Sequence, residues 1–113
     1  MKVNKWEILS HIKQYISEKT PGYLHLLDII ARRKTGKTAI ELLLEDPAAL
    51  YEVLEEYYGD KSTVIFILSS MFLKPLAIKL GNPALVDDLL NAIMKKDNKE
   101  FFKILKENGL EIK

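Results

Sequence analysis

The chain has 113 residues, 17 basic and 16 acidic side chains, a net charge of +1 and an apolar content of 48%. That is the length of one domain, residues 1–113, and enough chain to bury on the order of two-thirds of its unfolded surface without a staple. With no cysteine at all, disulfides, thiolate nucleophiles and cysteine-built zinc or iron–sulfur sites are excluded.

Helix signals follow one another along the chain. Asn4 with Glu7 has capping-box spacing, and Ile8, Leu9, Ile12, Tyr15 and Ile16 then fall on one helical face until Thr20, Pro21 and Gly22 end it. A second apolar segment runs from Tyr23 to Ala31 and stops in the polar stretch 32–37, read as a basic inter-helix loop; residues 38–45 form a short helix. Asp46 followed by Pro47 is a start signal, an N-cap side chain and then proline at the first helical position. The helix it opens is expected to bury Leu50, Val53, Leu54 and Tyr57, to wet Glu52, Glu55 and Glu56, and to end at Gly59.

Ser62 is positioned to cap the next helix, whose stretch Val64–Leu73 is almost wholly apolar, as expected of a central buried helix. Lysine flanks and a length short of about 20 residues argue against a membrane span. Pro75 predicts a kink or break, because it removes a donor and crowds the carbonyl of Met71. Asn82 and Pro83 repeat the start signal, and Leu85, Val86, Leu89, Leu90 and Ile93 should face inward. Asp97 with Glu100 opens the last helix, which carries Phe101, Phe102 and Leu105 and ends at Asn108 and Gly109, placing Leu110 beside Leu105 in a Schellman ending. No segment shows sustained two-residue alternation, so no strand is predicted. The Asp46 and Asn82 starts, 36 residues apart, are followed by apolar residues in matching places, an echo that helix-start chemistry alone produces.

Charge is segregated beneath the neutral total. Residues 1–40 sum to +5, residues 41–60 to −7 and residues 61–113 to +3. An acidic stripe of this kind is either a solvated helix face or the complement of a basic surface, in the same chain or in a partner. Glu52, Glu55 and Glu56, with Tyr51 and Tyr58 flanking that face, are the candidate docking residues. Fifteen of the bases are lysine and ten of the acids glutamate, the bias reported for thermophile proteins.

The segment Ala31–Thr38 satisfies a loose phosphate-binding loop with alanine in place of the first glycine. One glycine is too few for the tight backbone nest, and the reading requires a strand before residue 31. Arg32, Arg33, Lys34 and Lys37 are the densest basic cluster, and a basic loop leading into a helix N-terminus suits phosphates, including a nucleic-acid backbone. His11 and His25 fall in no metal-ligand spacing, and no nucleophile, base and orienter assemble, so no catalytic, metal or cofactor residue is assigned.

From Asp46 to Gly81 the order is Asp46-Pro47, an amphipathic helix ending Tyr57, Tyr58 and Gly59, then a long apolar helix ending Lys79, Leu80 and Gly81. This cadence resembles the small all-helical output domains of archaea described from Nitrosopumilus and related archaeal helical families. The resemblance covers about a third of the chain and implies an all-helical module acting by protein contact, with no active site to carry over. The expectation is therefore an all-α bundle of five to seven helices around a central apolar helix at 64–80. Functionally it is a non-enzymatic interaction or regulatory module whose partner is another protein or a second copy. Nucleic-acid binding through the 32–37 cluster is the alternative. The opening residues have no apolar run followed by small side chains, which reads as cytoplasmic.

Overall fold

The computed structural model describes residues 2–111, so Met1 and positions 112–113 of the assigned domain range lie outside it. Among the described residues seven helices pack around one hydrophobic core. They are α1 (Lys5–Lys19), α2 (Tyr23–Thr35), α3 (Ala39–Glu45), α4 (Pro47–Tyr58), α5 (Lys61–Lys79), α6 (Leu85–Met94) and α7 (Asn98–Glu107). The radius of gyration, 12.9 Å, is that of a fully packed chain of this length, about 13 Å.

Most helix starts follow from first-turn chemistry. Asn4 Oδ1 accepts from the Glu7 amide at 2.9 Å, Asp46 Oδ1 from Ala49 at 3.2 Å, and Asp97 Oδ1 from Glu100 at 3.1 Å. Two starts differ from expectation. The cap of α5 is Asp60, whose carboxylate accepts from the Ser62 amide (3.2 Å) and the Thr63 hydroxyl (2.6 Å); Ser62 is already inside the helix. Asn82 does not cap α6, which begins at Leu85 without a side-chain cap. Its amide instead donates to Asn108 Oδ1 at 3.3 Å, across to the end of α7.

Helix α5 is the buried rod. Val64, Leu68, Phe72, Leu73, Leu76 and Ala77 are fully enclosed, and α1, α4 and α6 pack against it. Pro75 neither breaks nor ends it. Residues Leu68–Leu73 adopt a π-helical turn, in which the Lys74 amide reaches back five residues to the Ser69 carbonyl. The wider turn takes up the space and the missing donor that proline imposes on an α-helical ladder. The rod therefore runs 19 residues and is long and apolar enough to cross a membrane by length and composition. The lysine-flank argument from sequence underestimated that length. In this fold its inner apolar side chains fill the core and 44% of the span is buried, while Phe66 and Ile78 stay exposed.

The second hub is α4, which touches α2, α3, α5, α6 and α7. Its buried stripe includes Leu50, Tyr51, Val53 and Leu54, while Tyr57 is 55% exposed. The phase reading that sent Tyr57 inward and left Tyr51 partly wet is thus reversed. Val86 and Leu90, expected inward, are half-buried and pack on the margin of the core, as does Phe102.

The chain ends meet in two short parallel strands that the sequence did not announce, β1 (Val3–Asn4) and β2 (Leu110–Glu111). Val3 pairs with Leu110, and the Val3 amide donates to the Gly109 carbonyl at 2.8 Å. This replaces the predicted Schellman ending, because Leu110 turns into a strand instead of folding back over α7.

Candidate functional site

The basic cluster is not a loop. Helix α2 continues through Thr35, so Arg32, Arg33 and Lys34 occupy its last turn, where cations complement the negative end of the helix dipole. Gly36 closes it in the left-handed conformation, φ 80°, with its amide donating to Arg32 O at 2.9 Å. A helix, not a strand, precedes residue 31, and this ends the phosphate-binding-loop reading of Ala31–Thr38.

The amides at the N-terminus of α3 are already engaged. Thr38 and Glu41 form a full capping box, with the Glu41 amide on Thr38 Oγ1 (3.2 Å) and the Thr38 amide on Glu41 Oε1 (3.0 Å). The Ala39 amide donates to Asp28 Oδ1, from the middle of α2, at 3.0 Å. Burial raises the Asp28 carboxyl above its ordinary range, and the amides of Ala39 and Ile40 partly offset this. The anion seat expected beside the basic cluster is thus filled by a carboxylate of the same chain. Sequence reasoning gave Asp28 no role, since its partner lies 11 residues away.

The acidic stripe meets the basic segments within the molecule. Lys34 pairs with Glu56, Lys37 with Glu45 at 2.6 Å, and Lys96 with Glu52 at 3.5 Å. Glu55 accepts from the Tyr51 hydroxyl at 2.8 Å, and burial followed by this carboxylate raises the Tyr51 pKa. Tyr58 shares a hydrogen bond with the Tyr23 hydroxyl, whose pKa is raised first by burial and then by Tyr58. Tyr51 is 4% exposed, which leaves Tyr58, half-buried, and the three glutamates as the accessible members of the candidate docking set. These ion pairs are exposed and screened by solvent, so they set surface charge more than stability. Arg32 and Arg33 remain exposed and carry no ion pair among the described residues.

A different face stands out by its lack of charge. Along the outer side of α5, Phe66 is 61% exposed and Ile78 45% exposed. Between them a shallow hollow is lined by Ser69, Ser70, Lys74, Ile78, Pro83 and Val86. Ser69 turns its hydroxyl back to the Ile65 carbonyl at 2.7 Å, satisfying it within the helix. The π-turn lies at the centre of this face. Sequence reading missed the face because it treated the whole apolar run as core. Phe66, two residues before the π-turn begins, was the available signal.

No protein-family model, curated protein or solved structure matches the chain. The functional reading therefore stands on the geometry.

The two histidines stay apart. His25 is exposed on α2, while His11 on α1 has a buried Nε2 without a hydrogen-bond partner. Among the described residues no three histidine, aspartate or glutamate side chains come together as a metal site.

Proposed function

We propose that this protein is a non-enzymatic interaction module that associates with a second copy of itself through the outer face of α5. The observation that carries this is the exposure of Phe66 and Ile78 at the two ends of a face whose single charge is Lys74. Large apolar groups exposed on one weakly charged face mark contact sites. Twelve positions separate them, about 18 Å along the helix.

A face with one charge is compatible with its own copy, since antiparallel pairing offsets the two Lys74 side chains from each other, and it offers little charge pattern for a foreign partner to match. Antiparallel pairing of two α5 rods about a two-fold axis would bring Phe66 of one against Ile78 of the other. The small side chains of Ser69 and Ser70 would sit at the crossing, where they let the backbones approach. Lys74 would lie opposite Ser70 and reach its ammonium to the rim. A π-turn on the contact face agrees with this, because such turns recur at functional sites. The contact-acting character implied by the Asp46–Gly81 cadence points the same way.

The test is sedimentation equilibrium over about a hundredfold concentration range. The wild-type chain should sediment as a dimer. Phe66→Glu and Ile78→Glu should each yield a monomer that keeps the helical circular-dichroism spectrum, its melting temperature lower only by the part that dimerisation contributed. A wild-type chain that stays monomeric throughout, or a Phe66→Glu variant that still dimerises, refutes the reading.

A further inference from the structure

A second surface lies on α7 and does not depend on self-association. Lys99, Lys103 and Lys106 stand at i, i+4 and i+7, so they line one flank of the helix over about 10 Å. All three are exposed. Among the described residues the ion pairs engage Lys34, Lys37 and Lys96, and none reaches these three. Between them sits Phe102, half-buried, its ring held edge-on against the buried Phe101 with centroids 5.4 Å apart and planes at 88°. Phe102, the stems of the three lysines and Glu107 line a shallow, mainly apolar hollow.

The neighbouring flank of α7 is mainly acidic. Asp88, Asp97 and Glu100, with one lysine, Lys95, line the cleft between α6 and α7, and Glu107 stands on the border between that cleft and the lysine hollow. A polyanion is therefore repelled on one side of the helix and attracted on the other, which confines it to the lysine flank. Phe101 and Leu105 are buried and Ile104 lines the acidic cleft, so Phe102 is the apolar side chain of the helix left to touch a ligand on the lysine flank.

We propose that this flank of α7 binds single-stranded nucleic acid, the lysines taking successive phosphates and Phe102 receiving a base. A single strand supplies both parts of the recognition, charge for the ammonium groups and a π-face for the ring. A duplex or an acidic peptide supplies the charge alone, and a membrane surface needs more exposed apolar area than one half-buried phenylalanine. The ring does not have to be ordered on binding, because Phe101 already fixes it. This places the nucleic-acid contact away from the 32–37 cluster, where Lys34 and Lys37 are paired within the chain.

The experiment is fluorescence anisotropy of a labelled oligothymidylate about 15 nucleotides long, with the full chain. Three phosphate contacts give a salt slope near −2, so binding should weaken about 20-fold between 50 and 200 mM salt. Replacing Lys99, Lys103 and Lys106 together by alanine should abolish binding without lowering the melting temperature. Phe102→Leu, which keeps the apolar packing and removes the ring, should weaken binding about tenfold, and Phe102→Tyr should restore it. No binding at 50 mM salt, binding unchanged in the lysine variant, or loss only on replacing Arg32 and Arg33 overturns the proposal. So does equal affinity for inorganic polyphosphate or for a duplex, or binding to phosphatidylserine vesicles but not to the oligonucleotide.

Discussion

The contact between Asp28 and the N-terminus of α3 can be divided into its hydrogen-bond and charge parts by two substitutions. Asp28→Ala leaves the Ala39 amide, now bonded at 3.0 Å, without its acceptor. Loss of a helix cap of this kind costs about 1 kcal/mol. For a chain of this length that is a fall of about 4 °C in melting temperature. Asp28→Asn keeps an acceptor oxygen and removes the charge. Burial already holds the Asp28 carboxyl above its ordinary pKa, so the ionised form gains nothing net from folding. The asparagine variant should therefore melt within about 2 °C of the wild type at neutral pH, a difference of roughly 0.5 kcal/mol.

The pH dependence has a definite sign. A carboxyl whose folded pKa is raised binds more protons in the folded state, so its contribution is fully present below the unfolded value, 3.8, and is lost as pH rises through the folded pKa. Relative to Asp28→Asn, the wild type should gain stability on acidification through that window. Thermal unfolding followed by circular dichroism, at neutral pH and near pH 4, reads both effects. An alanine variant as stable as the wild type, or an asparagine variant as damaged as the alanine one, would refute the assignment of Asp28 as the acceptor for the first-turn amides of α3.

Two further predictions concern the α6–α7 turn and the chain ends. Lys96 holds the left-handed position after α6 at φ 58°, with the Asp97 amide reaching back to the Ala92 carbonyl at 2.9 Å, so Lys96→Gly should raise stability by about 1 kcal/mol in urea unfolding. Leu110, 5% exposed, joins the core opposite Val3, and Leu110→Ala should cost about 2–3 kcal/mol, together with loss of hydrogen-exchange protection at the Val3 amide.

Most of the architecture was legible because it is local. Asn4, Asp46, Gly59 and Asp97 do what their neighbours within four residues require, and a helix end is satisfied or not on that scale. The all-helical class followed from the spacing of apolar residues. The phase of α4 was misread because its stripe is wide: Tyr51 falls on its buried side, and Tyr58 is drawn to Tyr23 of α2, so Tyr57 is left to the solvent. The π-turn before Pro75 was illegible for a related reason, since a proline states the problem and only the packing around Phe72 and Leu73 selects the remedy.

The candidate sites divide in the same way. Composition showed that residues 41–60 were acidic and residues 32–37 basic, and it left open whether they faced a partner or each other. The fold brings Lys34 to Glu56 across 22 residues of sequence, so part of the acidic stripe is met within the chain. It also filled the amides of α3 with Asp28, closed the chain ends through Val3 and Leu110, and left Phe66 and the α7 lysines uncovered. Caps, periodicity and charge are properties of a segment and can be read in one dimension. Which acid meets which base, and which apolar side chain finds no cover, depends on how helices distant in sequence pack, and that is settled only in three.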